Sequence, residues 1–256
     1  MKIFVVKRKN GDFILKKNWK KIPKSKCIVH LAGKSFAPDS WKDTHNFLKN
    51  NILSTQLALD YCKKYQSKLI FTSTVLYGGN YKSPLLETFE PKPQNPYHLS
   101  KYLCEQLCKF HHDNFKTKIV ILRIFNPYGL EQGKRYVIPE ITDMIKKNKI
   151  FLKNLIAKRD FIYIEDLIDA FLKAIKKNIK FSIINIGSGK SYSIRQLAKI
   201  MMNIYGKKIP IKGKKLFRVN DYKEVYASIN KAKRELGWSP KYTLKEGINH
   251  LKQQLK

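Results

Sequence analysis

The sequence predicts an α/β fold, a doubly wound parallel sheet with a small α+β domain interleaved in its second half. Two patterns carry this expectation. As far as about residue 125, apolar runs of strand length alternate with segments of helical period, as strands joined by crossover helices do. From Asn126 onward the exchange loosens into shorter elements. The expected division is therefore a sheet domain over 1–125, to which a strand and a helix return at about 160–190, and a second domain over 126–256.

Each element follows from its own stretch of sequence. "KCIVHLA" (26–32) reads as a buried strand and "DTHNFLKNNILSTQLALDYCKKY" (43–65) as a long amphipathic helix. "SKLIFTST" (67–74) is the next strand, "PYHLSKYLCEQLCKFHHDNF" (96–115) the next helix, and "TKIVILRIF" (117–125) a third strand. Between them "YKSPLLETFEPKPQNP" is a proline-rich surface connection. Beyond Asn126 come a helix at "YVIPEITDMIKKNK", a strand at "RDFIYI", a helix at "EDLIDAFLKAIKK" and a strand at "FSIINIGSG". "SIRQLAKIMMNIYG" and "INKAKRELGW" read as smaller elements capping one end of the sheet. Ligands of open α/β sheets lie at the C-terminal ends of strands, here "HLAG", "FTSTVLYGG", "RIFNPYG" and "NIGSG".

Composition narrows the partners. The formal charge is +33, from 52 Lys and Arg against 19 Asp and Glu, but only seven of those cations are arginine. A reader of nucleic acid concentrates Arg, whose planar fork pairs phosphates and base edges. Lysines spread through nearly every segment read instead as a solvated coat, with no specific nucleic-acid partner. The N-terminal apolar run is too short for a secretory signal or a membrane span, so the expected location is cytoplasmic. The four cysteines form no C-x-x-C and no disulfide framework, and are read as reduced.

Tyr97 and Lys101 share one helical face at spacing i, i+4. An ammonium beside a phenol favours the phenolate, drawing a tyrosine from its reference near ~10 towards neutrality as a usable acid or base. In a chain so rich in lysine that spacing occurs by chance, so context must decide. Upstream, a predicted strand ends with the hydroxyls of Ser73 and Thr74; downstream, another ends with Asn126. The order Ser-x-x-x-Tyr-Gly, Pro-Tyr-x-x-x-Lys and Leu-Arg-x-x-Asn-x-Tyr-Gly resembles the extended short-chain dehydrogenase/reductase superfamily. The closest likeness is to its NAD-dependent epimerase/dehydratase group, which acts on nucleotide sugars. "KNNILSTQLAL", "RDFIYIEDL", "NIGSGKSYSIRQLA" and "INKAKRELGWSPKYTLKEGI" also resemble that group's signatures, in the right order, although Ser54 stands where glycine is usual.

The resemblance implies a Rossmann-like domain, a substrate domain formed largely by 126–256, and NAD or NADP as cofactor. Ser73 would bind the reacting sugar oxygen, Tyr97 exchange its proton, and Lys101 lower the tyrosine pKa and hold the nicotinamide ribose. Ala32 and Gly33 would lie along the cofactor, and Asn51 would support the lysine side. Asn126, Arg159 and Arg218 would face the nucleotide diphosphate, with Asp221 in "RVND" close to the group's Arg-x-Gly-Asp. The group's 4,6-dehydratases carry Asp-Glu directly after the site hydroxyl. Thr74 and Val75 follow here, which points to epimerisation or keto-reduction. The long helices holding Asn51 and Tyr97 would form a homodimer.

The group begins with a strand and a loop Gly-x-x-Gly-x-x-Gly that cradles pyrophosphate. Before "KCIVHLA" this chain has Gly11 alone. The first βαβ unit is thus expected to be absent, the fold truncated at its N-terminal edge, and "IFVV" and "DFILK" to form a hairpin about Asn10-Gly11 that covers the exposed sheet edge. A cofactor-free remnant that keeps nucleotide-sugar binding is the alternative function. "GSGKS" (187–191) lacks the first glycine of a P-loop, Ile184 standing in its place. Cys104, Cys108, His111 and His112 on one straight helix make a poor tetrahedron, so no metal is expected. His30, Trp19, Trp41 and Trp238 are read as packing residues.

Overall fold

The computed structural model describes residues 2–7, 12–77, 81–214 and 223–255. The chain forms two compact units, each drawn from three segments: Met1–Gly78, Glu87–Ile124 and Phe171–Ile184, then Gly79–Leu86, Phe125–Ala170 and Asn185–Lys256. In chain order the first elements are β1 (Ile3–Val6), α1 (Lys16–Trp19), β2 (Cys27–His30), α2 (Ala37–Ser40), α3 (Thr44–Tyr65), β3 (Lys68–Thr74), α4 (Pro96–Phe115) and β4 (Ile119–Ile124). After them come β5 (Asn126–Tyr128), α5 (Val137–Lys146), β6 (Ile150–Leu152), β7 (Lys158–Arg159), β8 (Phe161–Tyr163), α6 (Ile164–Lys176) and β9 (Phe181–Ile186). The chain closes with β10 (Tyr192–Ser193), α7 (Ile194–Tyr205), β11 (Ile211–Gly213), β12 (Glu224–Val225), α8 (Asn230–Leu236) and α9 (Leu244–Gln254).

The main sheet has the order β1-β2-β3-β4-β9, with β1, β2, β3 and β4 pairing parallel in turn. Helices cover a parallel sheet on both faces, so its strands need continuous apolar runs. Accordingly "CIVH" is buried throughout, as are the first five residues of β4. Ile28, Leu69, Phe71, Ile119 and Ile121 pack with Ala58, Leu59 and Cys62 of α3 and with Cys104 and Cys108 of α4. α3 ends on Gln66 in the left-handed conformation, and α4 starts where the Asn95 side chain accepts from the His98 amide, with Pro96 in the first turn.

The N-terminal hairpin does not form. "IFVV" is a strand, but it pairs parallel with β2, and the ladder extends through Leu31 N to Val6 O and Lys26 N to Lys2 O. "DFILK" is a turn leading into α1, while Asn10 and Gly11 lie outside the described residues. Burial of aromatic surface decides the outcome. Phe13 and Trp19 meet edge-on at 5.3 Å, and the indole N–H donates to the Phe13 carbonyl at 2.9 Å. Trp19 also stacks on His30 and lies against Tyr61, so residues 12–22 cross over as a packed segment and leave β1 parallel to its neighbour. Trp41, expected to pack, is 65% exposed just past α2. Trp19 and Trp238 are buried.

Within this unit Arg123 of β4 forms a two-pronged ion pair with Glu105 of α4, Nε to Oε1 at 3.0 Å and Nη2 to Oε2 at 2.6 Å, while Nη1 donates to the Tyr77 hydroxyl at 2.8 Å. Both charges are almost fully buried. Removing one partner strands the other charge, so Glu105→Ala is expected to cost about 3–5 kcal/mol, measured by urea unfolding. Replacing both by apolar residues of similar volume recovers most of that loss. A single-variant cost under about 1 kcal/mol, the value of a solvated pair, would refute this account.

In the second unit β5 pairs with β8, β7 lies between β10 and β12, and β6 pairs with β11. Its core joins Ile138 and Ile141 of α5, Leu197 and Met201 of α7, and Ile248 and Leu251 of α9. Capping boxes start α7 (Ser193 with Gln196) and α9 (Thr243 with Glu246). The single strand expected at "RDFIYI" is divided by Asp160 into β7 and β8. The Asp160 carboxylate turns inward and accepts from Ser188 N and Oγ, Gly189 N and Ala227 N.

Candidate active site

The C-terminal ends of β2 and β3 and the first turns of α4 supply the candidate residues of the first unit. After β2 the chain passes through Ala32, buried, and Gly33, whose φ of 147° suits glycine. A Cβ on Gly33 would lie 2.7 Å from Asn51 Oδ1 and 3.8 Å from Lys101 Nζ. The absent side chain is what lets three elements converge here.

Asn51, on α3, joins them. Its Oδ1 accepts from the Lys34 amide at 2.8 Å, and its Nδ2 donates to Lys34 O at 3.1 Å and to Ser100 Oγ at 2.8 Å. Ser100 in turn donates to the Tyr97 carbonyl at 2.7 Å. The Asn51 carbonyl accepts from Thr55 Oγ1 and from the Cys104 thiol. Asn51 therefore fixes α4 to the loop after β2 through Ser100.

Lys101 is buried, donates to Thr72 O at 2.8 Å and lies 4.9 Å from the centre of the Phe71 ring. Burial holds its pKa below the ordinary lysine value. Ser73, next along β3, is 4% exposed, and its Oγ has no hydrogen-bond partner among the described residues. A buried hydroxyl without a partner carries a desolvation cost that a bound oxygen would remove. Tyr97 lies one helical turn before Lys101, 9% exposed, with its ring edge-on to Phe47 at 6.3 Å. A cavity of 310 Å³ adjoins Gly33, lined also by Phe13, Ile14, Ala32 and Ser54.

His30 is fully buried between Trp19 and Phe71, and burial followed by the charge of Lys101 pushes its pKa down to about 4. It is a packed strand residue. Cys104, Cys108, His111 and His112 are otherwise engaged: Cys104 and Cys108 are buried with their thiol pKa values pushed up by burial, His111 Nε2 contacts Gln56, and His112 Nδ1 meets Thr117 O. Among the described residues no cluster of three metal-binding side chains occurs. No described helix is long and apolar enough to cross a membrane.

In the second unit Asn126 opens β5, its Nδ2 donating to Asp160 O at 2.9 Å, and Arg159 of β7 donates to Lys158 O at 2.8 Å. Asn126 is thus tied to the backbone of Asp160, while the guanidinium of Arg159, the residue before it, bonds the Lys158 carbonyl. Arg218 and Asp221 lie outside the described residues. The "GSGKS" loop is not a phosphate cradle. Its Ser188 and Gly189 amides, which would have to face an anion, are bound to the Asp160 carboxylate, itself raised in pKa by burial. Sequence reading missed Asp160, although a carboxylate beside a strand end facing a Gly-Ser-Gly loop is a findable signal.

The parallel sheet, with a Tyr-x-x-x-Lys helix beside a strand-end hydroxyl, defines a doubly wound α/β domain of dehydrogenase type. The comparisons narrow this to one family. Residues 15–251 match the family described as GDP-mannose 4,6 dehydratase, and the chain belongs to the NAD-dependent epimerase/dehydratase family of the extended short-chain dehydrogenases/reductases. A bifunctional UDP-glucose and UDP-xylose 4-epimerase of Arabidopsis thaliana is 29% identical over 86% of this chain and 70% of that protein. The crystal structure of UDP-glucose 4-epimerase from Thermotoga maritima with UDP-glucose superposes with a TM-score of 0.90 at 27% identity, covering 96% of this chain and 84% of that one. UDP-glucuronic acid 4-epimerase from Bacillus cereus, in complex with UDP-glucuronic acid and NAD, gives 0.84 at 30% identity over 96% and 80%.

Proposed function

We propose that this chain acts on a nucleotide sugar, as a 4-epimerase or keto-reductase, with NAD or NADP as hydride carrier. The observation that carries the reading is the pairing on β3 of the buried Ser73 hydroxyl, without a partner among the described residues, with Thr72, whose carbonyl anchors the Lys101 ammonium one turn from Tyr97. The relatives act on UDP-sugars by name, and the Bacillus cereus structure holds NAD.

In this reading the Tyr97 oxygen exchanges a proton with the reacting sugar oxygen, and Ser73 Oγ hydrogen-bonds that same atom. Lys101, positive and held in place, stabilises the charge that develops on the Tyr97 oxygen and faces the nicotinamide ribose. Asn51 acts through Ser100, holding the helix that carries both. Ala32 and Gly33 line the cofactor side. A bound nicotinamide supplies hydride acceptance and return. Asn126, Arg159 and Arg218 are assigned to the nucleotide diphosphate, and Asp221 to the substrate. Thr74 and Val75 offer no carboxyl to expel water, which favours epimerisation or reduction over the dehydration in the family's description. Incubating the chain with UDP-glucose and NAD, and separating the nucleotide sugars by chromatography, tests the reading. Formation of the C4 epimer supports it; a substrate that neither binds nor converts, offered as UDP- or GDP-hexose, would overturn it.

The same reading includes a homodimer through α3 and α4. Leu53 on α3 and Leu99, Leu103 and Phe110 on α4 are all exposed, and the last three share a helical face. Leu103→Glu with Phe110→Glu is expected to convert a dimer into a monomer by light scattering after gel filtration. An unchanged mass would refute this interface.

A further inference from the structure

The parallel sheet gathers lysines that the sequence spreads out. α3, α4 and α6 each end just before the next strand begins, so strand starts and helix C-termini share one end of the sheet. There the backbone bonds Lys26 N to Lys2 O, Lys68 N to Lys26 O, Leu69 N to Lys118 O and Ile119 N to Lys180 O run across all five strands. β9 runs the same way as β4, since Phe125 N to Ile186 O repeats the last of these bonds further along both strands. One lysine therefore stands at the start of every strand, in a row of roughly 19 Å at the ~4.8 Å spacing of paired strands. Lys68 is buried, and its ammonium closes α6 by donating to Ala174 O and Lys177 O. Lys2, Lys26, Lys118 and Lys180 are exposed.

Helix ends widen the row into a patch. Lys63 and Lys64 lie in the last turn of α3, Lys116 follows α4, and Lys176 and Lys177 close α6, all exposed. A helix C-terminus attracts cations through its own dipole, which accounts for this second set. A strand has little net dipole and asks for none, so the row needs another reason. Opposite charge is scarce here: Asp113 is paired with Lys109, and Asp60, a turn further in, accepts from Gln56. Asp12, Asp39, Asp43, Glu87 and Glu90 lie instead in the connections that follow β1, β2 and β3, at the end that carries Ser73. The first unit is thus mixed in charge at its site end and positive at the other.

The chemistry of the patch selects among polyanions. No described arginine stands there, Arg123 being buried with Glu105, so the planar fork that reads phosphates and base edges is missing. Its aromatic rings are occupied: Lys63 Nζ lies 3.5 Å from the centre of Phe115, Lys64 Nζ 5.0 Å from that of Tyr65, and Lys109 Nζ 5.9 Å from that of Phe181. A nucleic-acid base would have to displace a cation before it could stack. Lysine ammonium groups are compact point charges that need no fixed partner geometry, and a patch two-dimensional in extent suits a charged plane.

We infer that this end of the first unit is a docking surface for an anionic lipid bilayer, held by lysine charge without insertion. Bound so, the chain turns the strand ends that carry its candidate site away from the membrane. The inference stands independently of the nucleotide-sugar reading.

Flotation of the purified chain with phosphatidylcholine vesicles containing about 30% phosphatidylserine, at ~0.15 M salt, tests it. The chain is expected to float with these and not with vesicles of phosphatidylcholine alone. Lys26→Gln, Lys118→Gln, Lys177→Gln and Lys180→Gln together should weaken partition by at least about a hundredfold, at roughly fivefold per lysine. Lys199→Gln, Lys207→Gln, Lys208→Gln and Lys212→Gln remove the same charge from exposed positions of the second unit. That set should change partition less than about threefold, because charges beyond a Debye length are screened. The first four lysines changed to arginine should bind as the parent chain does, which separates lost charge from lost structure. Equal losses in the two glutamine sets, equal binding to neutral vesicles, or no flotation with anionic ones would overturn the inference. So would a first glutamine set that loses binding to single-stranded RNA while keeping its hold on the vesicles.

Discussion

Tyr97→Phe is expected to lower turnover of a nucleotide sugar by about a thousandfold, inside the 10²–10⁴ range of a general acid or base, without unfolding the chain or releasing substrate. The substitution removes one oxygen and keeps the ring. Among the contacts that hold Tyr97, its ring is edge-on to Phe47 and tilted against His98, and its backbone carbonyl accepts from Ser100, all of which phenylalanine keeps. The Asn95 cap and Pro96 start the helix whichever ring follows. Lys101 keeps its bond to Thr72 O, and Ser73 keeps its hydroxyl. The melting temperature and the UDP-glucose thermal shift should thus match those of the parent chain while kcat falls. Retention of more than about a tenth of the parent kcat, a barrier change under ~1.4 kcal/mol, would remove Tyr97 from the proton path. Lys101→Met provides the complementary case: it should lower kcat and also weaken nicotinamide binding, because that ammonium is assigned to both tasks.

The sheet and its long helices were legible because their residues obey one period each. "PYHLSKYLCEQLCKFHHDNF" is helical from Pro96 to Phe115, and "TKIVILRIF" contains β4 whole. The candidate site was legible in part, since the Tyr-Lys spacing and the hydroxyl at the end of β3 are local features. What escaped was decided by contacts distant in sequence. "DFILK" has strand-like residues, yet Phe13 gains more by packing on Trp19, which itself stacks on His30, than by pairing with "IFVV". Glu105 and Arg123 stand eighteen residues apart, on a helix and a strand, and nothing local marks them as partners. Asp160 reads as an ordinary residue of a strand until the Ser188, Gly189 and Ala227 amides are seen to converge on it. Trp41 is the converse, a large aromatic that no neighbouring element covers.

Acid should destabilise this chain well before its carboxylates protonate. His30 and His98 are both buried, and burial pushes each down to about 4 from an ordinary 6.5, with Lys101 adding to the effect at His30. Above 6.5 each imidazole is neutral in folded and unfolded chain alike, so its full stability is present. Between 6.5 and about 4 the unfolded chain binds protons that the folded chain refuses, and stability falls with falling pH. From about pH 8 to about pH 5 each histidine should cost roughly 2 kcal/mol. His111, shifted the same way, adds to the loss, whereas Asp160 and Asp166, raised by burial, oppose it at the acid end. Neither ring nitrogen of His30 has a hydrogen-bond partner among the described residues, so His30→Leu should sacrifice no hydrogen bond near neutrality. It should instead remove one titration and about half of the two-histidine loss at about pH 5, read as a smaller drop in the urea midpoint across the same pH interval. Parallel pH profiles for the parent chain and His30→Leu would show that His30 is protonated equally in both states, and the burial argument would fail with it.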